Sequence, residues 1–212
     1  MSQTFVHQFT VSLDGFGTGE GQTREEPFGH AGERLHQWMF DTHWWKSRGS
    51  VSAGGVDDAF LQRHDQGVGA EIMGANKWGF KGWHEDPDWK GWWGDNPPFK
   101  HPVFVLTHHP RPALEFENGT SFHFVDGPPE QILEQALAAA GGKDVKVNGG
   151  VSTVRAFWKA RLLDELHLVM APVFVGEGER LLGGLGVEED YEVAGFEASE
   201  AAVHYRIVKR QP

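Results

Sequence analysis

Asn148, Gly149 and Gly150 separate a short apolar run, Val145 to Val147, from a segment that opens Val151-Ser152-Thr153 and continues with helix-forming residues. A strand, two glycines and a helix in that order can hold an anion. Glycine lets backbone approach a ligand without a Cβ in the way. The first N–H groups of a helix point outward, unpaired, at its positive end. A nucleotide's pyrophosphate suits that geometry. The same residues also suit a plain tight turn with Ser152 as a helix cap, and spacing alone leaves both readings open.

Two more apolar runs end in small or polar residues. Met73-Gly74 is followed by Ala75, Asn76 and Lys77, and Leu106-Thr107 by His108 and His109. Ligands of open α/β sheets gather outside the carboxyl ends of strands, so three such ends favour a shared anion pocket more than any one does. For His108-His109 an exposed loop is the competing reading. Other chemistries find no support. With no cysteine the chain has no disulfide, thiolate zinc site or cysteine nucleophile. HExxH, a calcium loop and GxSxG are absent, and His30/His36 and His84/Glu85/Asp86 lack compact ligand spacing, so no metal is expected. The net charge of −11 opposes a duplex-binding surface. No apolar run reaches the roughly 18 to 20 residues that span a bilayer, and no signal-peptide pattern opens the chain. The expectation is a cytoplasmic protein that contacts neither nucleic acid nor membrane.

The elements that must position these residues follow from periodicity. Residues 4–13 read as a strand closed by Asp14-Gly15, and the glycine-spaced residues 15–21 as a mobile loop. Residues 33–46 and 57–66 read as helices, the second with Asp57 and Asp58 at its start. Residues 70–74 form a short strand. Residues 75–100 hold Trp78, Trp83, Trp89, Trp92 and Trp93 among many Gly and Pro, which predicts a long ordered loop pinned by its aromatics. Strands over 102–107 and 121–126 precede a helix over 128–140, a strand over 145–147 and a helix over 152–160. A strand over 164–175, a turn over 176–180 and an antiparallel pair over 191–196 and 202–209 complete the chain. Strands alternating with helices predict an α/β fold, one domain over 1–212, with a mainly parallel sheet made mixed by the C-terminal antiparallel hairpin.

The segments VSLDGF, EIMGANKWG, PVFVLTHHPR and VNGGVSTVRAFWKARLLDELHLVMAPVFVGEGERLL, followed by the closing hairpin, resemble the dihydrofolate reductase-like superfamily in order and over most of the chain. They are most similar to the C-terminal reductase domain of the riboflavin-biosynthesis deaminase-reductase and its stand-alone relatives. The resemblance implies a three-layer α/β/α fold that binds NADPH and passes hydride to a small pterin- or pyrimidine-like heterocycle. It implies pyrophosphate binding by Gly149, Gly150, Val151, Ser152 and Thr153. Thr10 and the loop after Leu13 would lie near the nicotinamide. Gly74, Ala75, Asn76, Lys77, Thr107, His108 and His109 would flank the adenosine phosphate. Asp41, between Phe40 and Trp44, is the candidate for the substrate-side acid. Pairing as a homodimer through the C-terminal strands is also implied. One departure stands out: relatives often carry Arg after the glycine that ends the second strand, and this chain has Ala75, so Lys77, His108, His109 or Arg111 must supply any charge there. Two other classes remain open: a nucleotide-binding sensor or carrier without turnover, and a phosphosugar enzyme using the same helix end.

Overall fold

The computed structural model describes residues 2–47, 49, 54–63 and 66–211. In chain order the elements are β1 (Thr4–Val11), β2 (Phe16–Thr18), a 3-10 helix (Gly29–His36), α1 (Gln37–Phe40), α2 (His43–Lys46) and α3 (Val56–Gln62). Next come β3 (Val68–Gly74), α4 (Ala75–Trp78), a 3-10 turn (Trp83–Glu85), β4 (Pro102–Leu106), β5 (Leu114–Glu115), β6 (Ser121–Val125) and α5 (Pro129–Ala139). The remainder is β7 (Asp144–Gly149), α6 (Val151–Lys159), β8 (Glu165–Met170), β9 (Glu179–Arg180), a 3-10 turn (Glu188–Asp190), β10 (Tyr191–Ala198) and β11 (Val203–Lys209).

Nine strands form one sheet in the order β10-β11-β8-β1-β7-β3-β4-β6-β5. The six strands from β8 to β6 are parallel, while β11 pairs antiparallel with β8, β10 antiparallel with β11, and β5 antiparallel with β6. Alternation along each strand sends neighbours to opposite faces. Ile72, Val145 and Val147 thus pack with Ile132 of α5 and with Val154 and Phe157 of α6 on one face. Met73, Val103, Val105, Phe122 and Phe124 turn to the other face, where Trp78 and Trp83 cover them. Farther along that second face Trp38, Leu61, Val169 and Ala202 form another cluster. Three layers result, as the alternating pattern predicts. Among the described residues no helix is long and apolar enough to cross a membrane.

Four details differ from the expectations. The helix over 33–46 is broken into a 3-10 helix, α1 and α2, because the Thr42 hydroxyl donates to the Met39 carbonyl and accepts from the Trp45 N–H, starting a new helix there. The helix over 57–66 ends at Gln62, and positions 64 and 65 lie outside the described residues. The strand over 164–175 stops at Met170, just ahead of Pro172, which has no N–H for the ladder. The glycine-spaced stretch after β1 is not simply a loop: β2 pairs antiparallel with β9, a partner about 160 residues away that no local pattern announces.

The tryptophan-rich segment 75–100 is held as its composition suggests, by edge-on ring contacts. Trp78 meets Trp83 at 4.7 Å, Trp89 meets Trp92 at 5.2 Å and Trp93 meets Phe99 at 4.8 Å. Arg111 clamps it, donating to the Trp89 carbonyl at 2.8 Å with its guanidinium 4.9 Å above the Phe124 ring.

Candidate functional site

The chain starts in the middle of the sheet, builds outward through β3 and β4, then returns to β7 beside β1 before crossing to β8. That reversal opens a crevice at the carboxyl ends of β1, β7 and β3. Gly149 ends β7 with φ of 108°, a region that side chains avoid, and the Gly149–Gly150 peptide is cis. A Cβ on Gly149 would fall 3.2 Å from Phe9 Cε2, and one on Gly74 would fall 2.5 Å from Thr153 Oγ1. A Cβ on Gly150 would meet nothing within 4 Å. The junction is therefore tight on its inner side and open on its outer side.

Helix α6 starts at this junction, and its N-cap, Gly150, makes no side-chain cap hydrogen bond. Ser152 is a helical residue, not the cap, so the tight-turn reading loses its capping partner. The N–H groups of Val151, Ser152 and Thr153 precede the first helical bond, which runs from Val154 to the Gly150 carbonyl at 3.0 Å. A cavity of about 440 Å³ borders this turn, lined by Val151, Ser152, Arg155, Lys159, Glu179 and Arg180. Another of about 710 Å³ lies against β5, beside Leu114 and Phe116, away from every strand end of the crevice. The smaller one matters more here because it touches free helix N–H groups and cations.

β2 folds over the junction, since a Cβ on Gly17 would strike Val151 Cγ2 at 2.7 Å and Phe9 Cε1 at 2.8 Å. Asp14 anchors this flap. Its carboxylate accepts from the Ser12 hydroxyl, the Val175 N–H at 3.1 Å and the Gly176 N–H at 2.7 Å. The Ser12 bond first, and these N–H groups against partial burial, hold Asp14 at about 2. The segments VSLDGF and GEGER, far apart in sequence, are thus two sides of one flap.

The model of the RibD C-terminal domain matches residues 3–205 of this sequence. The chain belongs to the RibD C-terminal domain family. Its fold is shared with a putative riboflavin biosynthesis protein from a Shewanella species, at a TM-score of 0.62 and 22% identity over 100% of both chains. A pyrimidine reductase-like protein from Corynebacterium diphtheriae matches at 0.55 and 15% identity, covering 100% of this chain and 93% of that one. A dihydrofolate reductase from Enterococcus faecalis, solved with NADP(H), matches at 0.54 and 12% identity, covering 100% and 97%. No curated protein sequence matches significantly.

Within this RibD-type fold the expected site residues separate into groups. Gly74, Gly149, Gly150, Val151 and Thr153 converge on the crevice, with Ser152 exposed at its rim. Thr10 is buried and its hydroxyl accepts from Trp38 Nε1 at 3.1 Å. Ala75 and Asn76 open α4, and Asn76 is exposed. Thr107 accepts from the His109 N–H, His109 stacks on His84 at 3.7 Å, and His108, its side chain 89% exposed, pairs with Asp126 at 3.0 Å. Arg111 is engaged with the tryptophan loop. Asp41 stands at the surface, bonded to Gln37 at 2.9 Å and Lys46 at 3.4 Å, and none of these contacts is a residue of the junction. The Gln37 bond, with Lys46 beside it, lowers the Asp41 pKa, the opposite of what a proton donor needs.

The second face of the sheet carries groups the sequence reading passed over. Glu71 on β3 and Lys146 on β7 are cross-strand partners, fully buried, with Nζ 2.9 Å from Oε1. His101 Nε2 lies 3.2 Å from the same oxygen, and Asn148 donates to the other. Burial alone would raise the Glu71 pKa, but the Lys146 ammonium and His101 override it and hold the group at about 2. A signal was present: a Glu inside AEIMG and a Lys between two valines, both in strands that otherwise read as central and apolar.

Proposed function

We propose that this chain is an NADPH-dependent reductase of the riboflavin-pathway type, passing hydride to a small pterin- or pyrimidine-like heterocycle. The observation that carries the reading is the uncapped start of α6 at a glycine junction whose outer side is open. The residues fit a nicotinamide dinucleotide. Val151, Ser152 and Thr153 would hold its pyrophosphate through backbone N–H groups, and Arg155 and Lys159 border the same cavity. β2 and Leu13 would close over the nicotinamide, which supplies hydride when bound. The rest of the task is to orient two planar rings and exclude water, which the flap and the buried second face are placed to do. With Ala75 at the usual arginine position, His108 and His109 after β4 would flank the 2′-phosphate.

Tryptophan fluorescence and calorimetric titration with NADPH and NADH test the reading. Saturation by NADPH in the micromolar range is expected, and no binding of either at millimolar concentration sinks it. The family names of the fold neighbours, riboflavin biosynthesis protein and pyrimidine reductase-like protein, support the substrate class. We further propose a homodimer built on β10, an edge strand exposed from Glu192 to Ala198 with Val193 58% and Phe196 69% exposed. A sedimentation mass of one chain, 23.6 kDa, would exclude it. The absence of cysteine suits a reducing compartment, which supports a cytoplasmic location.

A further inference from the structure

Lys77 has no explanation in the fold. It sits on α4, directly after the strand end at Gly74, and its side chain passes the glycine junction with Cδ 3.6 Å from where a Gly149 Cβ would stand. Its ammonium makes no hydrogen bond or ion pair to any described residue. The charges close enough to act on it are Glu71 and Lys146, so the side chain turns onto the second face of the sheet, away from the N–H groups that start α6. Glu71 is already engaged: Lys146 and His101 lie on one carboxylate oxygen and Asn148 donates to the other.

A second group without a hydrogen-bond partner lies near enough to feel the Lys77 charge. His36, on the 3-10 helix that covers this face, has its Nδ1 sealed from solvent with no hydrogen bond. Its ring packs between Phe28 at 4.5 Å and Phe40 at 6.2 Å. Burial first, and the Lys77 charge second, push it down to about 4, so it is neutral near pH 7. A half-buried ammonium at the glycine junction with no hydrogen-bond partner among the described residues is free to meet a ligand there. Burial, then Lys146, outweigh the pull of Glu71 and bring Lys77 itself down to about 8. At neutral pH it stays mostly protonated yet gives up its proton more readily than a surface lysine.

We propose that Lys77 is the proton donor to the heteroatom of the C=O or C=N bond reduced in this crevice. The inference rests on the reductase reading above. The bound nicotinamide would supply hydride to the carbon, and the π electrons of the C=O or C=N bond would move to the heteroatom. That atom takes the Lys77 proton, leaving a neutral amine that regains a proton from solvent. The products are the CH–OH or CH–NH compound and the oxidised nicotinamide.

The test combines a direct titration with two variants. In protein labelled with ¹³C at lysine Cε, one resonance should titrate near 8, vanish in Lys77→Met, and move when lumazine, a carbonyl-bearing heterocycle, is added. Across a panel of pterins, pyrimidinediones and aldehydes, Lys77→Met should lower kcat by about 10²- to 10⁴-fold while the NADPH Kd changes less than about threefold. Lys77→Arg keeps the charge but not a transferable proton, and should be as impaired as Lys77→Met. Wild-type kcat should fall as pH rises through about 8. The groups facing Lys77 are Glu71 from β3, Lys146 from β7 and His36, while His101, from the segment before β4, lies on Glu71. Glu71 and His36 titrate far below that range, and His101→Gln should leave the inflection in place. Full turnover by Lys77→Arg, a lysine signal titrating above pH 10, or a Lys77→Met variant whose only defect is weaker NADPH binding would each overturn the proposal. Wild-type protein that binds no NADPH would instead refute the reductase reading, and the lumazine-induced shift of the Lys77 resonance still separates the two.

Discussion

Two buried polar networks lie on the same face of the sheet, and they end differently. Near β8 and β11, the Gln8 N–H donates to His167 Nδ1 at 3.1 Å, and His167 Nε2 faces His204 Nδ1 at 3.0 Å. His204 Nε2 faces Asp57 Oδ1 at 2.7 Å. The direction of the first bond fixes the rest. His167 Nδ1 must accept, so Nε2 carries its proton and donates to His204, whose own Nε2 proton goes to Asp57. Phe60 stacks on both imidazoles, at 4.3 and 4.4 Å, and closes the chain off. Every proton has a taker. Near β3 and β7, Glu71 and Lys146 are equally buried, but Lys77 beside them makes no hydrogen bond or ion pair to a described residue. A closed network fixes a structure, and one with open ends beside a crevice is built to receive something.

The sharpest way to break this contrast is at the charged pair. Glu71→Gln removes the carboxylate that lies 2.9 Å from the buried Lys146 ammonium, and urea unfolding should show a loss of about 3 to 5 kcal/mol. The folded-state pKa of Glu71 is depressed, so its contribution is present above about 4.5 and is lost as pH falls toward 2. A variant as stable as the parent would show that the pair is not the keystone of this face.

The histidine chain should respond in a different pH window. Burial holds both histidines below their usual range, His167 at about 2, with His7, His204 and Arg63 adding to the effect at His167 and Asp57 opposing it at His204. The unfolded chain binds protons that the native one refuses, so stability is full above about pH 6.5 and declines as pH falls below it. The slope is about 1.4 kcal/mol per pH unit for each histidine that stays neutral. His204→Phe strands the Asp57 carboxylate and the His167 donor and should cost about 2 kcal/mol, while flattening that acid limb in a series of urea midpoints between pH 7 and 5. An unchanged limb would mean that these rings are not the groups that titrate.

Smaller effects separate the open end from the scaffold. Gly150→Ala places a methyl group in free space, so stability should hold within about 0.5 kcal/mol. The methyl obstructs the outer side of the junction, and NADPH should bind about tenfold more weakly, or about 1.4 kcal/mol. Equal NADPH affinity would move the pyrophosphate away from this junction. Asp41→Asn should change neither stability nor turnover, and a large fall in kcat would restore Asp41 as the acid.

Part of this was legible in the residues alone. The strand, Gly149-Gly150 and helix order appears as written, because apolar periodicity and the need for a residue without a Cβ are local properties. The ends of β3 and β4 at Gly74 and Leu106 followed from the same logic, and those two residues are register partners. The ends of the long helix and of β8 did not. Thr42 restarts a helix through its own hydroxyl, and Pro172 ends a ladder that apolar residues would otherwise continue. The flap was hidden because β2 and β9 are too short to declare themselves and exist only by pairing.

The parallel α/β frame and the place of the phosphate-suited junction follow from the residues alone, since both depend on patterns within a few positions. Tertiary structure alone decided which charges share a space. Glu71 meets Asn148 across 77 positions, His204 meets Asp57 across 147 and Gln8 meets His167 across 159. It also decided that Lys77 turns inward unpaired while Asp41 turns out to Lys46. Registers over such distances are set by which packed faces exclude water, and no stretch of chain carries that information alone.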